Sequence, residues 1–229
     1  ARAGNCFDRV IDSAARDSLV GNARDTLLVT GGTLANYPSL IVPSSMPIRF
    51  EGSMTFDSNT VVTVRPGYVF RMLTGQSFTF QGGSRLVARG TDAQKIQFIS
   101  DNVANPWGAL SFQGTPPDSS YLTNVRLERG GSASYVVASA ATHPVVMDSV
   151  LVRQARVNGV QLNAPGSRFS RSTLDTTGRD NSGVIVSAGT GLELGASTKV
   201  ESSVIRNAGG IGVDVNGTGA QIVATQVLT

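Results

Sequence analysis

The chain has 229 residues, of which 15% are charged, 40% are hydrophobic and 26 are glycine, and its net charge is +3. This length allows one large all-β domain or two smaller ones, and the regular placement of apolar residues excludes a disordered chain. Because Cys6 is the only cysteine, neither an internal disulfide framework nor a cysteine-rich zinc site can form. No run of about 18 apolar residues occurs, so the sequence predicts no membrane span.

Residues 6–20 predict a short amphipathic helix, because Phe7, Val10, Ile11 and Leu19 fall mostly on one helical face. Such a helix would cover the open end of a stack of strands, which otherwise invites aggregation. Residues 1–44 are therefore predicted to form an N-terminal cap that contains this helix and the entry strands. No signal peptide is recognisable, so we expect a segment from which any signal has been removed. The role of Cys6 stays open.

From about Thr26 onward the hydrophobic pattern changes to a period of two, which is typical of β-strands. Turn sequences such as Pro66-Gly67 and Gly82-Gly83 separate the apolar runs, and no amphipathic helix lies between them. A βαβ sheet is therefore disfavoured, whereas a sandwich remains possible on spacing alone. The predicted strands of this region are Leu27–Thr30, Ile48–Phe50, Val61–Val64, Val69–Met72, Ser77–Phe80, Arg85–Ala88, Ile96–Ile99, Ala109–Phe112 and Asn124–Glu128.

Five motifs follow one another in this part of the chain: Thr63–Gly67, Gly83–Asp92, Lys95–Asp101, Trp107–Phe112 and Leu122–Glu128. In this order they resemble the entry region of secreted bacterial right-handed parallel β-helix proteins of the broad pectate-lyase-like superfamily. The resemblance implies the fold, export and often placement on the cell surface. That group is functionally mixed, and these motifs belong to its scaffold rather than to an active site.

One short pattern then recurs five times, as Leu122–Leu127, Val146–Leu151, Phe169–Leu174, Val200–Ile205 and Val223–Leu228, with final residues 24, 23, 31 and 23 positions apart. A second element recurs in phase with it, as Ser134–Val136, Asn158–Val160, Ser182–Val184 and Ile211–Val213. A sandwich has no reason to keep this phase, whereas a coil with one period per turn must keep it. The sequence therefore predicts an all-β, right-handed parallel β-helix (solenoid) of about eight rungs over residues 45–229. The long interval predicts a loop at Ser187–Ser197.

Stacking these repeats tests for an enzymatic site, because glycosidases place paired carboxylates on one exposed face. With Leu127, Leu151, Leu174, Ile205 and Leu228 inward, the outward column contains Glu128, Val152, Asp175 and Arg206. The second strand contributes Val137, Gln161, Ile185 and Asp214. This alignment places no two carboxylates side by side and predicts an exposed Asp175–Arg206 ion pair. No catalytic residue is predicted, and no regular threonine column of the kind that an ice-binding face needs.

Three further features are predicted to be structural. Gly209–Val215 matches the calcium-binding nonapeptide pattern, but Thr218–Gln226 does not repeat it, so these glycines are predicted to form a tight corner and no metal or cofactor is expected. His143 is expected on a surface turn. Trp107 is expected as an aromatic anchor under a loop rather than as a sugar-stacking platform.

A non-catalytic, secreted or cell-surface module is the predicted function, serving as a structural scaffold or as a glycan-binding or adhesion face. Two alternatives stay open: a polysaccharide lyase or hydrolase with its site outside these columns, and a subunit of an extracellular filament or assembly. Six arginines are candidates for a strip that binds acidic glycans, with solvated turn arginines as the competing interpretation. They are Arg126, Arg129, Arg153, Arg156, Arg168 and Arg171.

Two further expectations concern binding partners. No aromatic residues interleave with a basic run, so nucleic acid is not an expected partner. Thr229 directly follows a predicted inward residue, so we expect either more chain or a neighbouring subunit at the open C-terminal rung.

Overall fold

The computed structural model describes residues 27–42, 48–100, 105–178 and 184–228, and over these residues the chain forms strands and no helix. The predicted helix at residues 6–20, with Cys6, lies outside the described residues. The strands are, in chain order, β1 (Leu27–Val29), β2 (Gly32–Ala35), β3 (Leu40–Val42), β4 (Ile48–Phe50), β5 (Met54–Asp57), β6 (Val61–Val64), β7 (Val69–Met72), β8 (Phe78–Phe80), β9 (Arg85–Arg89), β10 (Ile96–Ser100), β11 (Leu110–Phe112), β12 (Ser120–Thr123), β13 (Val125–Glu128), β14 (Tyr135–Ser139), β15 (Val145–Asp148), β16 (Leu151–Ala155), β17 (Asn158–Leu162), β18 (Arg168–Ser170), β19 (Thr173–Thr177), β20 (Leu192–Leu194), β21 (Lys199–Glu201), β22 (Val204–Ala208), β23 (Val213–Val215), β24 (Gln221–Val223) and β25 (Gln226–Leu228).

Every third strand belongs to the same sheet, so the chain coils through three parallel sheets in turn. Sheet A contains nine strands in the order β1-β4-β7-β10-β13-β16-β19-β22-β25. Sheet B contains eight, β2-β5-β8-β11-β14-β17-β20-β23, and sheet C contains β3-β6-β9-β12-β15-β18-β21-β24. This arrangement is a parallel β-solenoid, which confirms the predicted fold class. Strands β1–β3, which fall in the predicted N-terminal cap as its entry strands, lie in the same three sheets.

The core follows from the alternation of side chains along each strand. In β5, Met54 and Phe56 are buried while Thr55 and Asp57 are only half-buried. Because the strands pair in parallel, inward residues of successive rungs stack on one another. The rings of Phe56, Phe80 and Phe112 form one such stack in sheet B, with centroids 4.9 and 5.1 Å apart. Such aromatic contacts add to the stability that apolar burial gives the solenoid.

At each of the three corners, several rungs turn through a residue in the left-handed region of backbone conformation. Between sheets C and A this residue is Asn124, Ser149, Arg171, Ser202 or Ala224, with φ between 46° and 54°. Buried hydroxyl groups satisfy nearby backbone amides at the corners: the Ser172 Oγ accepts from the Val150 N–H at 2.9 Å, and the Ser203 Oγ from the Ser172 N–H at 3.1 Å. The recurrent serines of the repeat therefore hydrogen-bond the backbone of the turn in the preceding rung.

The strand register corrects the predicted repeat alignment in sheet A. Leu127 pairs with Val152, and Ile205 pairs with Val227. Leu151 is accordingly half-buried, whereas Val152 is fully buried. The alignment failed here because Val150-Leu151-Val152 is a continuous apolar run, in which alternation does not show which residue faces inward.

The second correction concerns the long repeat. Val160 pairs with Leu192 and Leu192 with Val213, so Gly191-Leu192 continues the second element and Val184 does not. The predicted loop at Ser187–Ser197 is therefore wrong, because β20 lies inside it. The additional residues of this rung fall between Gly178 and Thr190, where Val184, Ile185 and Val186 are exposed.

Candidate functional site

Sheet A carries a column of alternating charges on its outward side. The pairing places Glu128 beside Arg153, Arg153 beside Asp175, and Asp175 beside Arg206. The predicted Asp175–Arg206 ion pair is confirmed, with 3.0 Å between Nη2 and Oδ2. Burial acts to raise the pKa of Asp175, but hydrogen bonds from Asn207 and Arg206 outweigh it and lower the pKa. Opposite charges in successive rungs thus neutralise much of this face.

The six candidate arginines do not form one continuous row. Arg126, Arg129, Arg153 and Arg156 lie on or just after sheet A strands, whereas Arg168 and Arg171 lie on or just after sheet C strand β18. Arg126 and Arg129 flank the buried Glu128, with N–O distances of 2.5 and 3.7 Å.

On the sheet C side, both candidate arginines also contact carboxylates. Arg168 pairs with Glu201, and Arg171 makes two contacts with Asp148, one of them 2.9 Å from Nε to Oδ1. The Arg171 hydrogen bond lowers the pKa of Asp148. Within the described parts of the chain, Arg153 and Arg156 make no ion pair. Four of the six guanidinium groups therefore already have anionic partners, and binding of acidic glycans by this set stays a prediction.

Sheet B differs from the other two sheets in chemistry, because none of its strands contains lysine or arginine. Its outward column consists of hydroxyl groups in the first four rungs, then alanine, an amide and two carboxylates. In order, these residues are Thr33, Thr55, Thr79, Ser111, Ala138, Gln161, Glu193 and Asp214. Strands β2 and β5 are not among those predicted from the sequence. The column of threonines to which Thr33 and Thr55 belong was therefore not identified from the sequence.

The last rungs of this column carry a polar cluster in which Tyr135 and Gln161 are hydrogen-bonded to Glu193, with Asp214 beside Glu193 on the next strand. The Tyr135 hydroxyl donates to Glu193 Oε2, and Gln161 Nε2 donates to Glu193 Oε1 at 3.0 Å. Burial raises the pKa of Tyr135, and the hydrogen bond and charge of Glu193 raise it further. The phenol therefore stays protonated and acts as a fixed donor.

Glu193 and Asp214 are direct cross-strand neighbours, which corrects the prediction that no two carboxylates lie side by side. The error came from aligning Ile185 with Gln161, where the structure has Glu193. The short alternating sequence Leu192-Glu193-Leu194, flanked by glycines, was the available signal for this strand.

His143 is not on the surface as predicted but fully buried, with its ring centroid 5.3 Å from that of Phe112. Its Nδ1 lies 2.9 Å from the Gln113 carbonyl oxygen, which only accepts hydrogen bonds, so Nδ1 carries the proton. Its Nε2 then accepts from the Ser120 hydroxyl at 2.8 Å. In its neutral form the ring therefore has a hydrogen-bond partner for each nitrogen, and burial lowers its pKa.

Trp107 is buried as predicted, and its Nε1–H donates to the Glu128 carbonyl oxygen at 2.8 Å. The predicted corner glycines are also confirmed. A Cβ on Gly209 would lie 2.6 Å from the Ser187 carbonyl oxygen, and one on Gly210 would lie 2.6 Å from that of Ala188. These residues therefore hold the scaffold together rather than line a site.

Comparison with protein-family models, curated proteins and solved structures found no match to this chain. The pectate-lyase-like assignment therefore stays a resemblance. No group of three or more histidine, cysteine or acidic side chains in the described ranges is arranged to hold a metal ion. Those ranges also contain no helix with the length and apolarity needed to cross a membrane.

Proposed function

We propose that this chain is a non-catalytic module of an exported, pectate-lyase-like β-solenoid and that it binds a polysaccharide along the outward face of sheet B. The observation that carries this proposal is the composition of that face. It offers hydroxyl, amide, phenol and carboxylate groups without any lysine or arginine. These are the groups that exchange hydrogen bonds with sugar hydroxyls, and their chemistry favours a neutral glycan over an acidic one.

The geometry of the face supports binding to a repeating polymer. Parallel strands lie about 4.8 Å apart, so the column from Thr33 to Asp214 presents a polar group at nearly every step along the axis. The backbone beneath it is fixed by pairing on both sides, which lowers the entropy that binding must overcome. On sheets A and C, by contrast, many of the charged side chains already form ion pairs within the chain.

The polar cluster favours binding over hydrolysis. Both oxygens of Glu193 accept hydrogen bonds, from Tyr135 and Gln161, which fixes this carboxylate as an acceptor. Its neighbour Asp214 accepts from Asn216 Nδ2 at 3.2 Å. A glycosidase needs one carboxyl group that donates a proton to the leaving group, whereas both oxygens of Glu193 are already engaged as acceptors within the chain. If the chain were a hydrolase after all, the adjacent carboxylates of Glu193 and Asp214 would be the expected catalytic pair.

The proposal predicts that the protein is retained on an insoluble neutral polysaccharide such as xylan or cellulose, and that soluble polygalacturonate does not compete. The double variant Gln161→Ala/Glu193→Ala removes two side chains of the face and should weaken retention about tenfold or more, since hydrogen bonds to charged groups contribute about 1.5–3 kcal/mol. Depletion from solution at increasing polysaccharide concentration measures this. Arg171→Ala, on the sheet C side, is the matched control and should bind like the parent protein.

Three outcomes would contradict the proposal. Failure of the protein to be retained on any glycan would exclude the proposed binding function. Binding of polygalacturonate that is lost in Arg153→Ala/Arg156→Ala would assign the function to the arginine strip instead. Release of reducing sugars that disappears in Glu193→Gln would identify a hydrolase.

A second proposal concerns the last described rung, which we propose binds a neighbouring copy of the chain. Val227, Ile222 and Val215 are 46–49% exposed, whereas their equivalents one rung earlier, Ile205, Val200 and Leu194, are fully buried. Strands β23–β25 contain no lysine, arginine or proline, the residues that usually protect a strand edge from pairing. This surface supports edge-to-edge association of two solenoids.

This association predicts a mass that rises with protein concentration. Ile222→Lys/Val227→Lys places charge in the apolar part of the rung and should keep the chain monomeric. Thr63→Lys, on the outward side of sheet C, should leave the association unchanged. Light scattering coupled to size-exclusion chromatography measures the mass, and a monomer at every concentration would contradict the proposal.

A further inference from the structure

The chain contains two Asn-Gly pairs, Asn158-Gly159 and Asn216-Gly217. In such a pair the backbone nitrogen of the glycine can attack the side-chain carbonyl carbon of the asparagine. Ammonia leaves and a five-membered succinimide forms, which water then opens to aspartate or isoaspartate. Glycine favours this step because it has no Cβ to hinder the approach, but the attacking amide must be free of other hydrogen bonds.

The fold protects the first pair. Asn158 lies in β17, and its Oδ1 accepts a hydrogen bond from the Thr190 N–H at 2.8 Å. The Gly159 N–H donates to the Thr190 carbonyl oxygen at 3.0 Å, and Gly159 is buried. Both the attacked side chain and the attacking nitrogen are therefore held by the neighbouring rung.

The second pair lies in the exposed turn between β23 and β24. Asn216 is exposed, and its side-chain amide donates to Asp214 Oδ2 at 3.2 Å from Nδ2, with no other hydrogen bond from it among the described residues. The Gly217 N–H donates to no acceptor in the described part of the chain. A Cβ on Gly217 would lie 2.0 Å from the Ala196 nitrogen, so the packing of the turn itself requires the glycine that favours cyclisation.

We infer that Asn216 is a site of spontaneous succinimide formation in the folded protein and that Asn158 is not. The reaction needs only water, and it releases one ammonia for each asparagine converted. The product places a new carboxylate beside Asp214 and removes the amide donor that contacts it. The acidic end of the sheet B column thereby gains negative charge with the age of the protein. This inference does not depend on glycan binding.

The test is incubation of the folded protein at mildly alkaline pH, followed by peptide mapping by mass spectrometry and enzymatic detection of isoaspartate. Conversion at Asn216 should be about tenfold or more faster than at Asn158, because two hydrogen bonds must open first at Asn158. In urea the two rates should converge, and Asn216→Gln should abolish the acidic species formed by the folded protein.

Two results would overturn the inference. One is conversion of Asn158 in the folded protein as fast as that of Asn216. The other is an unchanged Asn216 in the folded protein under conditions in which urea allows both sites to react.

Discussion

Replacing Phe80 with alanine is expected to lower the free energy of unfolding by about 3–5 kcal/mol, the usual cost of removing a buried phenylalanine ring. Phe80 is fully buried between Phe56 and Phe112, and its ring is within 16° of parallel to each. Its removal deletes both ring contacts and leaves a cavity that the paired strands on either side prevent from closing.

Urea denaturation followed by circular dichroism measures this loss. Thr79→Ala, on the same strand but facing outward, is the matched control and should change the stability by about 0.5 kcal/mol or less. Phe80→Leu should lie between the two. Equal losses in Phe80→Ala and Thr79→Ala would contradict the assignment of inward and outward residues in sheet B.

His143 is expected to make the stability of the folded chain fall as the pH drops through about 6.5. Burial lowers the pKa of His143 in the folded protein, whereas in the unfolded chain the imidazole titrates at its ordinary value of about 6.5. The unfolded chain therefore takes up a proton first as the pH falls. The contribution is complete well above this value and is lost as the pH falls from it toward the lowered folded-state pKa, by at most about 1.4 kcal/mol per pH unit.

Protonation would also force the hydrogen bonds of the ring to rearrange. Nε2 would become a donor toward Ser120, whose oxygen would then accept from both the ring and the Leu86 N–H at 3.1 Å, so the Ser120 hydroxyl hydrogen would have to turn away from Nε2. Since His143 is the only histidine, His143→Gln should remove the pH dependence in this window. Asp148 and Asp175 have lowered pKa values, so they weaken stability only at more acidic pH. Identical pH profiles for the parent protein and His143→Gln in urea denaturation would contradict this prediction.

The candidate site shows how far periodicity can be used to predict a surface. The repeats indicate two strands per period at a constant phase, yet Leu151 and Ile185 were predicted in the wrong columns. A shift of one residue moves every side chain of a strand to the opposite face. In Val150-Leu151-Val152 the apolar run gives no way to choose between the two faces. This error hid the Glu128–Arg153–Asp175 column, and the separate alignment of Ile185 with Gln161 hid the adjacent pair Glu193 and Asp214.

The architecture could be predicted from the order of amino acids alone, because alternating apolar residues at a period near 23 leave few alternatives to stacked parallel strands. The same pattern located Ile48–Phe50, Val61–Val64 and Val69–Met72 at their observed limits. Only the folded solenoid shows which side chains are neighbours along its axis, because those residues lie 20 or more positions apart in the chain. The burial of His143 and the contact between Tyr135 and Glu193, 58 positions apart, depend on packing between rungs that local pattern does not encode.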